Sequence, residues 1–406
     1  MKNLRITALL LAALLLLSSC GNTASQAPTT NEIAASSSPS PSPEPSAEPT
    51  PAPTPTPTLV PYDGVVEHIF FHPVVAYAQL AFDGDNMSDG IDDWMVTKEE
   101  YWAILQSLYA NNYVLVDINS VWSEYTNDSG QTRMKRNTLM LPEGKKPIIV
   151  SYDDVNYYDY MLKNGFTYKL ILGDDGEIWS WGLDPDGKEV VSQDLDAVTL
   201  MDKFVREHPD FSFDGAKGCI GLTGFQGILG YRTQTDRDIT DPVKLAAFEA
   251  NRQKEIEAVK PVIAKLKEEG WTFASHTWAH MNLEKRGLAK VTDDTDRWLN
   301  EVGSLVGPTQ VLLYPYGGRA DGGDVNQTGE CFRYLQSKGF RIFASVGISS
   351  YSKIKSDICA VICDRLHPDG TTLRWSRDRY LQLYDAWKII DLKVRPNRPY
   401  DRNPGK

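Results

Sequence analysis

The chain is poor in cysteine and histidine, in net positive charge and in long apolar runs, and each shortage excludes something. Of its 406 residues only five are cysteine and six are histidine. Cys219, Cys331, Cys359 and Cys363 are too few and too scattered to be a disulfide framework. Cys359 and Cys363 as metal ligands would need two more thiols close by in the sequence, and none is there. Acidic residues outnumber basic ones, 54 to 42, giving a formal net charge of −12. No basic stripe with interleaved aromatics is visible, which argues against a nucleic-acid partner. The longest apolar run, Ile6 to Leu17, has 12 residues. A membrane-spanning helix needs about 20.

What stands at the N-terminus instead is a targeting segment over residues 1–20. Lys2 and Arg5 form a basic start ahead of the apolar run. The run ends in Leu17-Ser18-Ser19-Cys20-Gly21, which resembles a bacterial lipobox. That resemblance implies cleavage before Cys20, acylation of its thiol, and a protein held to the membrane outside the cytoplasm. Residues 21–61 are Ser-, Thr- and Pro-rich, with the run Pro49-Thr50-Pro51-Ala52-Pro53-Thr54-Pro55-Thr56-Pro57. Such a segment lacks the apolar surface to offset its chain entropy and reads as a disordered tether. At about 3 Å per residue it could reach roughly 100 Å.

Residues 62–400 read as one folded unit in which strand-like and helix-like stretches alternate. Thr97-Lys98-Glu99-Glu100 is a capping box that opens a helix to about Ala110. Strands are expected near Tyr113–Asp117, Pro147–Tyr152, Tyr168–Leu172, Cys219–Leu222, Trp271–Ala274, Val311–Leu313 and Arg341–Val346. Helices are expected over Thr199–Glu207, from Asp241-Pro242 to Glu269 with a kink or break at Pro261, over Asp293–Leu305, and near Cys331–Ser337. This alternation argues for a parallel sheet, open or closed into a barrel. Gly173–Thr240, rich in Gly and Asp, reads as inserted loops. The acidic stretch Asp83–Asp93 lacks two features of a calcium loop and reads as a solvated loop.

Three motifs sit at the ends of expected strands, where open and closed α/β folds build their sites. They are Ser151-Tyr152-Asp153-Asp154, Ser275-His276-Thr277-Trp278-Ala279-His280 and Tyr314-Pro315-Tyr316-Gly317. His276 and His280 are four apart, and a helical turn would set both rings on one face. His68 and His72 have the same spacing within a strand-like run, about 13 Å end to end, too far for one ion. Adjacent acids beyond a buried strand are costly unless something positive is there, although Val155-Asn156 would also suit a solvated turn. In an extended segment Asp153 and Asp154 point to opposite sides and can take different roles. Two imidazoles and a carboxylate suit a divalent, zinc-like metal, and a second carboxylate beside them suits a general base. The set reads as a metal-dependent hydrolase.

In order, these three motifs resemble the first three of the polysaccharide deacetylases, carbohydrate esterase family 4, with its NodB homology domain. The resemblance covers about residues 65–395. It implies a distorted (β/α) barrel with the site at the strands' C-terminal ends, here with an inserted loop region. It implies a divalent metal, Zn2+ by family habit, on Asp154, His276 and His280. Asp153 then matches the base that activates water, and Tyr316 the residue whose backbone N–H holds the oxyanion. The implied substrate is an acetylated glycan, N-acetylated above all, with peptidoglycan the nearest abundant one. Tyr152, Trp278 and Tyr314 are the aromatic candidates for sugar contact, though buried packing is the better reading for at least two of them.

Two departures stand out. The family's third motif opens with an arginine that pairs with the base, and here that position is Leu313. Arg319 and Arg365 are the available substitutes, and Arg365, near the same rim, is expected to reach Asp153. The family's last motif supplies a histidine from a Leu-x-His stretch as general acid. The nearest match is Arg365-Leu366-His367, where His367 follows Leu directly and could equally be a surface turn residue. Asp385-Ala386-Trp387 is a loose match to the family's Asp–Trp pair. Other readings that remain open are an O-acetyl esterase on the same fold, a glycan-binding lipoprotein that has lost catalysis, and a solute-binding lipoprotein.

Overall fold

Sixteen strands run through the described residues, 57–355 and 357–398 of the computed structural model. In chain order they begin with β1 (Leu59–Tyr62), β2 (Glu67–Phe71), β3 (Tyr113–Leu115), β4 (Trp122–Thr126) and β5 (Thr132–Arg136). Next come β6 (Leu139–Pro142), β7 (Lys146–Tyr152), β8 (Thr167–Leu172), β9 (Ile178–Leu183), β10 (Glu189–Ser192) and β11 (Cys219–Leu222). The last five are β12 (Thr272–Ser275), β13 (Val311–Leu313), β14 (Ile342–Val346), β15 (Tyr351–Lys355) and β16 (Ala360–Arg365). The targeting segment, Cys20 and the tether up to residue 56 lie outside the described residues. The last residues read as tether fold after all. Leu59–Tyr62 pairs antiparallel with Leu139–Pro142, because alternating half-buried residues give it a face to cover.

Nine strands make one sheet in the order β15-β16-β14-β13-β12-β11-β7-β2, with β3 added beside the start of β7. Every neighbouring pair is parallel except the β15–β16 edge. The sheet nearly closes on itself. Ile69 of β2 bridges Leu366 just past β16, the Phe70 N–H donating to the Leu366 carbonyl and the Leu366 N–H to that of His68. This is the distorted barrel that strand–helix alternation allowed and the family resemblance implied. Because the ring strands are parallel, β2, β7, β11, β12, β13, β14 and β16 all end at one rim.

Side chains alternate across a strand, and one buried cluster collects the inward positions. Ile149, Cys219, Ala274, Val311, Leu313, Ile342, Ala344, Val361 and Cys363 all belong to it. Continuing the alternation toward the rim places Ser151 and Asp153 after Ile149, His276 after Ala274, and Arg365 after Cys363. An apolar plug thus underlies a polar layer. The larger second cluster lies between the sheet's outer face and its helices, and includes Tyr101, Tyr152, Phe204, Trp271 and Trp298.

The helices follow the sequence signals with local differences. Thr97 and Glu100 form the capping box of the Lys98–Ala110 helix. The Pro242–Glu268 helix runs unbroken through Pro261, against the expected kink. Val259, Val262, Ile263 and Leu266 bury one stripe around that proline, and this packing holds the turn that the missing N–H weakens. The helix expected from Asp293 starts earlier, at Leu288, and passes through a π-turn at Leu299–Gly303. Gly173–Thr240 is not only loop. β8, β9 and β10 form an antiparallel sheet, and the alternating burial of Ile178–Leu183 shows the strand period that Gly- and Asp-rich turns disguised. The four downstream cysteines are unpaired.

The acidic stretch is a solvated loop only in its first half, where residues 83–86 form an exposed turn. Ser88–Trp94 is helical, and Asp92 is fully buried. Arg374, Arg395 and Arg398 hold the Asp92 carboxylate at 2.8–2.9 Å. Arg395 also grips Glu100, with Nε 2.8 Å from Oε1 and Nη2 2.6 Å from Oε2. The C-terminal segment is therefore strapped across the first helices by charges that have no water to replace them. Removing one partner of such a pair leaves an uncompensated buried charge, which costs about 3–5 kcal/mol. Arg395→Ala should lower the urea-unfolding free energy by about that amount; a change under ~1 kcal/mol would show that the strap is not needed for stability.

Candidate functional site

The rim carries the chemistry because β7 and β12 deliver their polar residues to the same place. Asp154, His276 and His280 each offer one ligand atom, all within 4.8 Å of one another. The His276–His280 spacing does not work through a helical turn, as the sequence reading supposed. His276 follows strand β12, and the chain then turns through positive φ at Thr277 (57°) and His280 (48°). Side chains hold that turn in place. The buried Asp294 carboxylate accepts the Trp278 and Ala279 N–H groups, both at 2.8 Å. The Thr277 hydroxyl accepts the Met281 N–H at 2.8 Å. Asp154 is also at positive φ (61°), so Asp153 and Asp154 diverge by a backbone twist rather than by strand alternation. Non-glycine residues in this region are strained by about 1–3 kcal/mol each and cluster at sites that over-determine them.

The donor set fits a divalent metal. His276 Nδ1 lies 2.8 Å from the Leu313 carbonyl, which can only accept, so Nδ1 carries the proton and Nε2 presents a lone pair. Burial holds the His276 imidazole below its ordinary pKa, against the pull of Asp153 and Asp154, which keeps that lone pair free at neutral pH. Tyr158 donates to Asp154 Oδ1 at 2.7 Å and stands 2.9 Å from the Thr223 hydroxyl, fixing the carboxylate's angle. His280 Nε2 lies 3.5 Å from Asp154 Oδ2. Three N/O donors with an oriented outer layer could hold a divalent ion.

Asp153 is held differently. The Arg365 guanidinium forks onto it, Nη1 to Oδ1 at 2.7 Å and Nη2 to Oδ2 at 2.9 Å. Arg365 is fully buried, its cation 4.1 Å from the Phe70 ring centroid, and Nη1 also donates to the Ser151 hydroxyl at 3.1 Å. Burial alone would raise the Asp153 pKa. Arg365, with His276, more than offsets that and holds the carboxyl well below the usual range. Leu313, where the family resemblance expects arginine, packs apolar into the barrel, and a Cβ on Gly221 would lie 2.8 Å from its Cδ1. Arg319, the other substitute, is occupied by Asp364.

His367 is buried, not a surface turn residue. Its ring stacks on Phe70 at 4.2 Å, and Nδ1 lies 2.9 Å from the Asp369 carboxylate. Nε2 is buried without a hydrogen-bond partner. His72 stands beside it, ring centroids 4.8 Å apart. Burial, then the neighbouring His367, lowers the His72 pKa to about 4. The sequence reading weighed His72 only as a partner for His68. The missed signal was its place just past β2, on the same rim as Asp153. His68 lies deeper, with Nε2 3.1 Å from the Ser151 hydroxyl. Tyr158, Thr223, Asp294 and Asp369 were also missed, since nothing in the sequence marks which polar residues stand behind a site.

The aromatic candidates separate. Tyr152 is fully buried under the sheet, its hydroxyl 2.6 Å from that of Tyr101, so it is core and cannot meet a sugar. Tyr314 is equally buried and donates to Gln327 Oε1 at 2.8 Å. Both follow inward or outward alternation at a strand end rather than the rim. Trp278 is partly exposed and lines a cavity of about 480 Å3 together with His280 and Tyr316. Tyr316 is 70% exposed, with its ring 4.5 Å from that of His280. Asp385 is clamped by Arg377, which also lies over the Trp387 ring, and caps a helix packed on the 98–110 and 370–375 helices. That pair belongs to the helical layer.

Comparisons with known proteins follow this geometry. No curated protein matches the chain. The Streptococcus pyogenes deacetylase PplD, solved in complex with acetate, is similar at 12% identity and a TM-score of 0.41, over 81% of this chain and 99% of that one. A polysaccharide deacetylase from Bacillus cereus is similar at 13% identity and a TM-score of 0.39, over 75% of this chain and 65% of that one. Neither likeness is close enough to carry chemistry across. Residues 242–329, which include His276, His280 and Tyr316, match the family model described as polysaccharide deacetylase. The match spans that segment alone, and within it the chain is similar to the polysaccharide deacetylases.

Proposed function

We propose that this protein is a metal-dependent hydrolase that removes N-acetyl groups from a cell-surface or extracellular glycan. The observation that carries the reading is the meeting, on one barrel rim, of a three-donor metal site with a separate carboxylate clamped by a buried arginine. Asp154, His276 and His280 would hold the ion, zinc by the donor set. When bound, such an ion polarises an acyl oxygen and acidifies water. Asp153 takes the proton of the attacking water, and Arg365 fixes the angle of that carboxylate. The Tyr316 backbone N–H is assigned to the oxyanion. His367, oriented through Asp369 with Nε2 unspent, returns a proton to the leaving nitrogen. The Arg365 fork also bears on the reading of a catalytically impaired binder, since the charge absent at Leu313 arrives from β16 instead. An O-acetyl ester would meet the same groups, and acetate release from N- and O-acetylated glycans compared side by side distinguishes the two.

Three outcomes test this. The purified protein should hold close to one divalent ion, and His276→Ala or His280→Ala should weaken its binding by one or more decades; full metal content in both variants would remove the metal site.

Asp153→Asn should abolish turnover and leave metal content intact. Arg365→Ala should slow turnover by roughly 10²-fold. The sign of the pH effect follows from the pair. Asp153 must be ionised to act, Arg365 holds its pKa down, and losing that cation raises it, so the acidic limb of the pH–rate profile should move to higher pH. An unmoved limb at normal rate would take Arg365 out of the site.

For location, we propose a lipoprotein anchored outside the cytoplasm through an acylated Cys20. Cys20→Ala should then shift the protein from the membrane fraction or leave it unprocessed. Detergent-dependent membrane association that survives the substitution would exclude this anchor.

A further inference from the structure

A separate cavity, of about 400 Å3, opens between the β15–β16 ribbon and the loop that follows Tyr316. It holds none of the residues assigned above to the metal or to the reaction. One face of the ribbon lines it. Tyr351, Lys353 and Lys355 alternate onto that face of β15, and Asp364 and Ile362 of β16 stand opposite Tyr351 and Lys353. Ile354, between the two lysines, turns the other way and packs against the apolar plug of the barrel. Arg319, three residues past Tyr316, lines the cavity from the loop.

Three cations meet one carboxylate there, so two positive charges are left over in a chain whose net charge is −12. The carboxylate, Asp364, engages Arg319 through Nη2. Arg319 Nε is buried without a hydrogen-bond partner among the described residues, so the guanidinium keeps donor capacity that Asp364 does not fill. Lys353 and Lys355 form no ion pair among the described residues. Their neighbours across the ribbon are Ile362 and Ala360, which carry no charge. Two ammonium groups on one face of a strand, about 7 Å apart along the backbone, repel each other. Lysines on an edge strand also discourage pairing with another chain, but that use needs neither the cavity nor Arg319. Val325 and Ile348, exposed by 67% and 73%, stand at the same cavity and would meet the organic part of a ligand.

We propose that this cavity binds an oxyanion, a phosphate or a carboxylate, between Arg319, Lys353 and Lys355. Arg319 supplies the planar fork that such oxygens fit, and the lysines supply mobile point charges. The oxyanion has two sources, a free ion or an acidic substituent on the glycan, whose site shares the Tyr316 loop with Arg319. The cavity itself does not rest on the deacetylase reading.

The test compares the full-length protein with its Lys353→Gln/Lys355→Gln variant, changed at two positions that are exposed or half-buried. Calorimetric titration with inorganic phosphate should show saturable binding that the variant weakens by about tenfold, which two partly exposed charge pairs can supply. Wild-type binding should also weaken as sodium chloride is raised. No phosphate binding by the wild type, or equal binding by both proteins, as for phosphate held on the metal, would overturn the site. Acetate release then separates the two sources. On a neutral N-acetylglucosamine oligomer the two proteins should share one kcat and one KM. On a glycan of the same length that bears carboxylates, a KM raised about tenfold in the variant upholds the site with the substituent as its ligand. An unchanged KM, with phosphate binding lost, upholds it with a free anion. If the wild type releases acetate from neither glycan, the deacetylase reading fails separately and the phosphate titration still decides the cavity.

Discussion

A bidentate ion pair, sealed from water inside the barrel mouth, is the constraint on which the site depends. Arg365 and Asp153 sit on strands two places apart in the ring, and both are almost wholly buried. A carboxylate there could not stay ionised alone. The arginine could not be there alone either, since its charge never leaves it. Phe70 walls the guanidinium, and Ser151 takes a spare donor. The pair therefore fixes how β16, β2 and β7 meet at the near-closed seam, and it leaves Asp153 a charged group of fixed direction.

The three-donor site depends on a different device. Its two histidines are brought together by backbone in the left-handed region, and that geometry survives because Asp294 and Thr277 satisfy the N–H groups of the turn. Asp294 comes from the helix after the turn, so the packing of Leu288–Trp298 on the barrel is part of the site's construction. Leu313 contributes twice. Its side chain fills the interior where a charge is absent, and its carbonyl sets the tautomer of His276. A position that reads as a loss in sequence is thus occupied in the structure by an orienting role, with the charge moved to another strand.

Local sequence determined what depends on neighbours in the chain. The capping box at Thr97, the N-cap at Asp241, the strands β11 and β13, and the motifs at strand ends all follow from short-range patterns. The identity of the donors, Asp154, His276 and His280, was legible because rare residue types stood at strand ends with suitable spacing. The same local view expected at least two of the motif aromatics to be buried but could not say that these are Tyr152 and Tyr314, since a motif does not say which way a ring faces. It also extended the solvated loop at residues 83–86 through Asp92, because the arginines that bury Asp92 are about 280 or more residues away.

Only the tertiary structure decided which distant residues share the rim. That Arg365 forks onto Asp153, that His72 stands beside His367, and that Tyr158 orients Asp154 are consequences of parallel strands ending together. Sequence fixes residue type and local period, which are one-dimensional. The direction of a side chain and the company it keeps follow from barrel closure, where one strand's alternation meets another's across the interior, and no local pattern encodes that meeting.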